Sequence, residues 1–197
     1  MNRTAIYLSF VVLFSSCITA KISWDRIEKE NVRHIGTNGM TVVIGEVTYQ
    51  FNLTVFSKSQ SNDYCLLISS ISKIDSNCIV LLKLENDEVI KLQADNLHTG
   101  IIDWPTFFPI IGLDKSAGLI ATKKVDYYTS IFSLSPELLD KIEKTGVLKI
   151  RIQYGENYNE KRWANDKLGV FLQQCHKLIE SQLQKNPSSL KAIEQNF

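Results

Sequence analysis

Histidine, methionine, proline and cysteine are scarce in this chain of 197 residues, which holds three, two, four and four of them. The histidines, His34, His98 and His176, fall in no motif such as His-Glu-x-x-His, and no Gly-x-Ser-x-Gly element is present. The sequence therefore offers neither a metal centre nor a catalytic constellation, and no catalytic residue, metal ligand or cofactor is expected. The cysteines are spaced for neither a zinc ribbon nor a disulfide framework. Charge of one sign is also missing, since 22 Lys and Arg stand against 21 Asp and Glu. A nucleic-acid binder or a polybasic membrane-surface module needs a basic excess, so neither class is expected. Apolar runs are short, and none approaches the roughly 20 residues that carry a helix across a bilayer.

What the chain does have, at its start, is an export address. Arg3 precedes a largely apolar run of ten residues, Ala5 to Phe14, followed by Ser15, Ser16 and Cys17. Such a run suits the apolar region of a signal peptide. Leu13-Phe14-Ser15-Ser16-Cys17 resembles a bacterial lipobox, in which small residues admit the peptidase and the cysteine thiol takes the lipid. Cys17 is the expected lipidation site. A competing reading ends the signal at Ile18-Thr19-Ala20, with a cut before Lys21 and no lipid. Cleavage before Cys17 removes Arg3 and no acid, leaving 21 charges of each sign. The expected organisation is an export signal over 1–17, one globular domain over 21–185 and a loose tail over 186–197. A domain of that size buries about 70% of its unfolded surface without disulfide staples.

The clearest structural signal is Val47, Tyr49, Phe51, Leu53 and Val55 alternating with Thr48, Gln50, Asn52 and Thr54. Period two predicts a strand with one face on a core and one in water. Met40, Val42 and Ile44 hold the opposite parity, so a bulge or tight turn is expected at Gly45-Glu46, and Asn38-Gly39 reads as a further turn. The Asn52-Leu53-Thr54 sequon falls on the outward face of this strand. Residues 63–94 read as three successive antiparallel strands: Tyr64–Ile71, Cys78–Leu84 and Val89–Leu92. Pairing the first two as a hairpin keeps Cys65 and Cys78 too far apart to be bridged, so both are expected as buried small hydrophobes.

Gly100 to Gly118 has no sustained period and contains two aromatic-proline bonds, Trp104-Pro105 and Phe108-Pro109. Because proline removes ladder donors, an irregular apolar loop is expected. It presents Trp104, Phe107 and Phe108 either as a recognition surface or as a lid packed on the sheet. Val125–Leu134 is strand-like, and Ser135-Pro136-Glu137 supplies a cap, a first-turn proline and a first-turn acid for a short helix near 136–145 that Gly146 ends. Leu148, Ile150, Ile152 and Tyr154 then alternate with basic and polar residues. A long amphipathic helix is expected over about 160–184, with Leu168, Phe171, Leu172, Cys175 and Ile179 in its apolar stripe. The fold class is α+β: a mainly antiparallel sheet of about six or seven strands, with the long C-terminal helix packed on one face.

Val125-Asp126-Tyr127-Tyr128, Ser135-Pro136-Glu137, Gly146 to Ile152 and Asp166-Lys167-Leu168, behind a signal ending in Ser-Ser-Cys, together resemble small envelope lipoproteins of Bacteroidetes-type bacteria. The resemblance implies export and an α+β fold. That group has no assigned chemistry, so no site residue follows from it.

Two functions from different classes fit these features. One is a non-catalytic envelope module, tethered to the membrane through an N-terminal lipid and binding an envelope protein or glycan through one sheet face or through the Trp104 segment. The other is an envelope hydrolase whose site is assembled from distant residues near His98 and Asp103. Cys175 and His176 do not make a pair, since adjacent helical side chains point about 100° apart. If Cys17 carries the lipid, Cys17→Ser moves the protein into a soluble fraction or blocks its processing, because a hydroxyl cannot form the thioether. Cell fractionation showing unchanged membrane partitioning and normal processing contradicts the anchor.

Overall fold

The strand periodicities resolve into two antiparallel sheets. The computed structural model describes residues 19–28, 31–58, 61–72, 74, 76–109 and 118–185, with the backbone alone described at 102–109, 118–122 and 185. The elements run β1 (Ile22–Ile27), β2 (Arg33–Thr37), β3 (Met40–Ile44), β4 (Val47–Lys58), β5 (Ser61–Ser70), β6 (Ile79–Leu84) and β7 (Val89–Gln93). They continue with β8 (Asn96–Pro109), β9 (Gly118–Leu134), α1 (Pro136–Thr145), β10 (Val147–Tyr154), β11 (Asn157–Arg162) and α2 (Leu168–Lys185). The larger sheet is ordered β1-β2-β4-β5-β9-β8, with β3 also on β4; the smaller is ordered β11-β10-β6-β7. The fold is α+β, with seven and four strands among the described residues, more than the six or seven that periodicity alone separates.

Strand β4 is central to the larger sheet. Tyr49, Phe51, Leu53 and Val55 are buried on one of its faces, as alternation requires. β3 folds back on its first half through the tight turn Gly45–Glu46, pairing Ile44 with Val47. β2 pairs with its second half, Gly36 beside Thr54. Asn38-Gly39 therefore does not reverse the chain, because β2 and β3 lie end to end along the same edge of β4. Side chains bridge the interrupted ladder. Thr37 Oγ1 donates to the Leu53 carbonyl at 3.1 Å and accepts from the Leu53 amide at 3.2 Å, while Asn52 Nδ2 donates to the Thr37 carbonyl at 3.0 Å. Left unpaired, such buried groups cost roughly 1–3 kcal/mol each. Asn52 and Thr54 are consequently buried, so this strand has no water-facing side at its centre and the sequon asparagine is engaged.

Residues 63–94 do not form one three-stranded unit. β5 pairs with β4 and β9, whereas β6 pairs with β7 and β10, so the chain passes from one sheet to the other between β5 and β6. Periodicity marks a strand but not its partner. The Gly100–Gly118 segment also departs from expectation. Its first part belongs to β8, which pairs with β9 in unbroken register from Asn96–Ile131 to Pro109–Gly118. An edge strand tolerates proline because the missing donor faces away from the ladder, and β8 is the edge of its sheet.

Helix α1 begins as its local signals dictate. Ser135 accepts the Leu138 amide at 3.2 Å, Pro136 and Glu137 open the first turn, and Gly146 closes the helix at φ 82°, a conformation that a side chain disfavours. The second helix is shorter than its apolar stripe suggested: residues 157–162 form β11 against β10, and α2 starts at Leu168 with the Asp166 carboxylate accepting the Gly169 amide at 2.7 Å. Leu168, Phe171, Leu172, Cys175 and Ile179 are buried on α2, which packs on α1 and on β1, β2 and β4. The two sheets and both helices share one hydrophobic cluster. The sheets are also tied by polar contacts, since Asn159 Nδ2 donates to the hydroxyls of Tyr49 and Tyr154 and Lys161 Nζ donates to the Val43 carbonyl, all at 2.9 Å.

Deleting a large apolar group from this interface leaves a cavity that the surrounding strands fill poorly. Phe171→Ala or Leu172→Ala is expected to lower unfolding free energy by about 2–5 kcal/mol in denaturant titration. A loss under about 0.5 kcal/mol contradicts the packing of α2 on the sheet.

Candidate functional site

The face of the larger sheet opposite α2 carries residues of a single parity from strands far apart in sequence. β1 contributes Trp24 and Arg26, β2 His34 and Gly36, β4 Gln50, Thr54 and Phe56, β5 Leu67 and Ser69, β9 Tyr127 and Thr129, and β8 His98. All of them but Gly36, which lies against the Trp24 ring, line an open groove of about 830 Å³, within the size range of small-molecule and cofactor sites.

Two glycines shape its surface. Gly36 stands opposite Trp24 and Gly100 opposite Tyr127 in the strand register. A Cβ on Gly36 would fall 2.0 Å from Trp24 Cζ2, and one on Gly100 would fall 2.4 Å from Tyr127 Cε1. Each ring therefore covers bare backbone on one side, and both rings are half-buried rather than closed in. This is the cross-strand pairing by which aromatic rings cover strand glycines.

At the β1 end, His34 gathers a polar cluster. Its Nδ1 lies 2.9 Å from Glu28 Oε1 and its Nε2 lies 2.8 Å from Thr54 Oγ1. A carboxylate only accepts, and the Glu28 contact is shorter than the 3.4 Å approach of the Arg26 guanidinium to the same nitrogen, so Nδ1 is assigned the proton. The indole of Trp24 points its Nε1 at His34 Nε2 at 3.3 Å, and the imidazole stacks on Phe56 with ring centres 4.2 Å apart. Arg26 also pairs with Glu28, at 2.9 Å. Hydrogen bonds from His34 and then Arg26 hold the Glu28 carboxyl below its usual range, against the opposing cost of desolvation.

Hydroxyl, imidazole and carboxylate in line are the parts of a nucleophilic relay, but the hydroxyl is in the wrong place for one. Thr54 is fully buried, and its Oγ1 donates to the Ile35 carbonyl at 2.8 Å. An acyl carbon cannot reach it. The relay instead fixes the orientation of His34 between Trp24 and Phe56.

Beneath the groove, on the α2 side, Arg33 and Asp25 form a two-pronged ion pair with N to O distances of 2.8 and 2.6 Å. Gln182 of α2 donates to Asp25 at 2.9 Å and its carbonyl accepts from Arg33 at 3.3 Å. The helix thereby clamps β1 against β2, the strands that carry Trp24 and His34. The Arg33 hydrogen bond holds the Asp25 carboxyl below its ordinary 3.8, with desolvation opposing.

A second polar cluster joins α1, α2 and β5. His176 Nδ1 lies 2.9 Å from Glu143 Oε1, its ring meets Tyr64 edge to face, and the Tyr64 hydroxyl donates to Glu180. Desolvation raises the Glu143 carboxyl in spite of His176 beside it. The neighbouring Cys175 faces the other way, into the core, where burial pushes its thiol up to about 11. A thiol so rarely ionised is not a nucleophile. Among the described residues no group of three or more His, Cys, Asp and Glu is arranged to hold a metal ion. Cys65, Cys78 and Cys175 are buried and form no disulfide with one another.

The residues singled out in the sequence fare unevenly. His98 is exposed at the β8 margin of the groove. Asp103 lies five positions further along the same strand, about 17 Å away between Cα atoms at strand spacing. The two are not brought together by the fold. Trp104, Phe107 and Phe108 are in strand β8 rather than a loop, and their side chains lie outside the described residues, as does Cys17 altogether. The groove residues Trp24, His34 and Phe56 carried no motif; their signal was one shared strand parity, visible only once the register is known. No protein-family model, curated protein or solved structure matches the chain.

Because folding depresses the Asp25 carboxyl, the pair stabilises the protein above the unfolded value near 3.8 and that contribution is lost as pH falls through the folded value. Asp25→Asn is expected to cost about 2–3 kcal/mol at neutral pH, since it leaves Arg33 unpaired. It is also expected to flatten the fall in denaturant midpoint below about pH 4 relative to the parent. An unchanged acid profile contradicts this assignment.

Proposed function

We propose that this protein is an exported, lipid-anchored module of the cell envelope that binds a partner, a protein or a glycan, across the open face of its larger sheet and does no chemistry on it. The carrying observation is the groove: about 830 Å³ lined by half-buried rings, amide and hydroxyl groups, with its charges paired internally. A concave surface with a few placed polar groups is what binding sites use to fix a ligand. The buried, committed hydroxyl of Thr54 and the distance between His98 and Asp103 weigh against the hydrolase reading. Export and anchoring rest on the apolar run Ala5–Phe14 and the lipobox-like ending at Cys17, with the resemblance to envelope lipoproteins of Bacteroidetes-type bacteria alongside. No helix among the described residues is long and apolar enough to cross a membrane. Attachment in this reading is through the lipid at Cys17.

Photo-crosslinking in cells tests the reading. A photoreactive residue at Gln50, exposed on the groove floor, is expected to give adducts in the envelope fraction, while one at Lys91, exposed on β7 of the smaller sheet, gives none. Ser69→Trp fills the groove between β4 and β9 and is expected to abolish the Gln50 adducts while leaving the melting temperature within about 3 °C. Equal labelling from both positions, or adducts untouched by Ser69→Trp, contradicts the proposal.

A further inference from the structure

We infer that the groove takes an uncharged glycan chain, its sugar rings stacked on Trp24 and Tyr127; this rests on the binding reading above and names the ligand class. The argument begins with the two glycine-backed rings. Each covers strand backbone at Gly36 or Gly100, is half-buried and lines the groove. A sugar offers a patch of C–H groups on one side of its ring and hydroxyls around its rim, so it can stack on an aromatic face while its hydroxyls reach polar neighbours.

Those neighbours are present between the rings. Gln50 offers both a donor and an acceptor, and the Ser69 and Thr129 hydroxyls, 2.7 Å apart, can each accept a further hydrogen bond. Trp24 on β1 and Tyr127 on β9 are four strand spacings apart across the sheet, about 19 Å, and by register about six residues apart along it, about 20 Å, so the rings are separated by roughly 28 Å. A monosaccharide cannot bridge that separation, whereas a chain of several sugars can.

Charge and geometry turn away the other polymers. Arg26, the Lys or Arg among the described lining residues, is already paired with Glu28, so phosphates of a nucleic acid find no unpaired cation here. A peptide binds sheets most readily by adding a strand at an edge, where backbone groups are available. The groove is on a face, where side chains alone are offered.

The test uses the purified protein and neutral oligosaccharides as probes: cello-, malto-, manno- and chito-oligosaccharides, each long enough to span the rings. Binding is read by tryptophan fluorescence and by calorimetry. At least one series is expected to bind, with affinity changing less than about twofold between about 50 and 500 mM salt. Trp24→Ala and Tyr127→Ala are each expected to weaken it by roughly tenfold or more, and Trp24→Phe and Tyr127→Phe by no more than about threefold. Failure of all four series to bind at millimolar concentration, or binding indifferent to both alanine variants, overturns the inference. Photo-adducts at Gln50 separate the two failures. If those adducts form and are proteinaceous, the groove is a binding site and the glycan assignment is wrong; if none form, the groove reading falls as well.

Discussion

Everything in the larger sheet answers to one constraint: strand β4 has neighbours along both edges and the helix α2 on one face. One edge is shared by β2 and β3, which meet end to end where the backbone ladder lapses. The Thr37 hydroxyl and the Asn52 amide supply the missing hydrogen bonds. Without them the chain could not pass from β2 to β3 along the same edge without burying unpaired polar groups. That junction is what lets β2 align Gly36 beside Thr54 and hold His34 next to Phe56.

The two faces of the sheet then diverge in chemistry. On the α2 side the residues of β4 and β5 are apolar, and the helix closes over them with Phe171, Leu172 and Ile179. The ion pair of Arg33 with Asp25 sits at the rim of that interface and joins helix to strands. Pairs of this kind contribute little net stability relative to an apolar substitute, but removing one partner is costly. Its value lies in orientation. On the groove side the same strands present rings, amides and hydroxyls whose charges cancel locally, and the histidine that resembles a catalytic base is spent on positioning an aromatic row.

How much of this was legible depends on the range of the signal. Helix α1 was readable to the residue because Ser135, Pro136 and Gly146 act on their own turn. The β6–β7 pairing and the Gly45–Glu46 turn were readable for the same reason. The start of α2 was not, because the apolar stripe continues past the point where residues 157–162 gain more from pairing with β10. The Trp104 segment was misjudged because proline was weighed as a strand breaker, and at a sheet edge the lost donor has no ladder partner to miss.

By itself the sequence determined the α+β class, the period-two strands, the first helix with its caps and the balance of charge, all of which depend on neighbours within a few positions. Which strands pair, and hence that residues as distant as Trp24 and Tyr127 line one groove, was decided only in the tertiary structure. The physical reason is that a strand's alternation states which residues share a face but not which strand lies beside it. Partner choice follows from burying the whole apolar surface at once, with α2 on one face and the second sheet sharing the core.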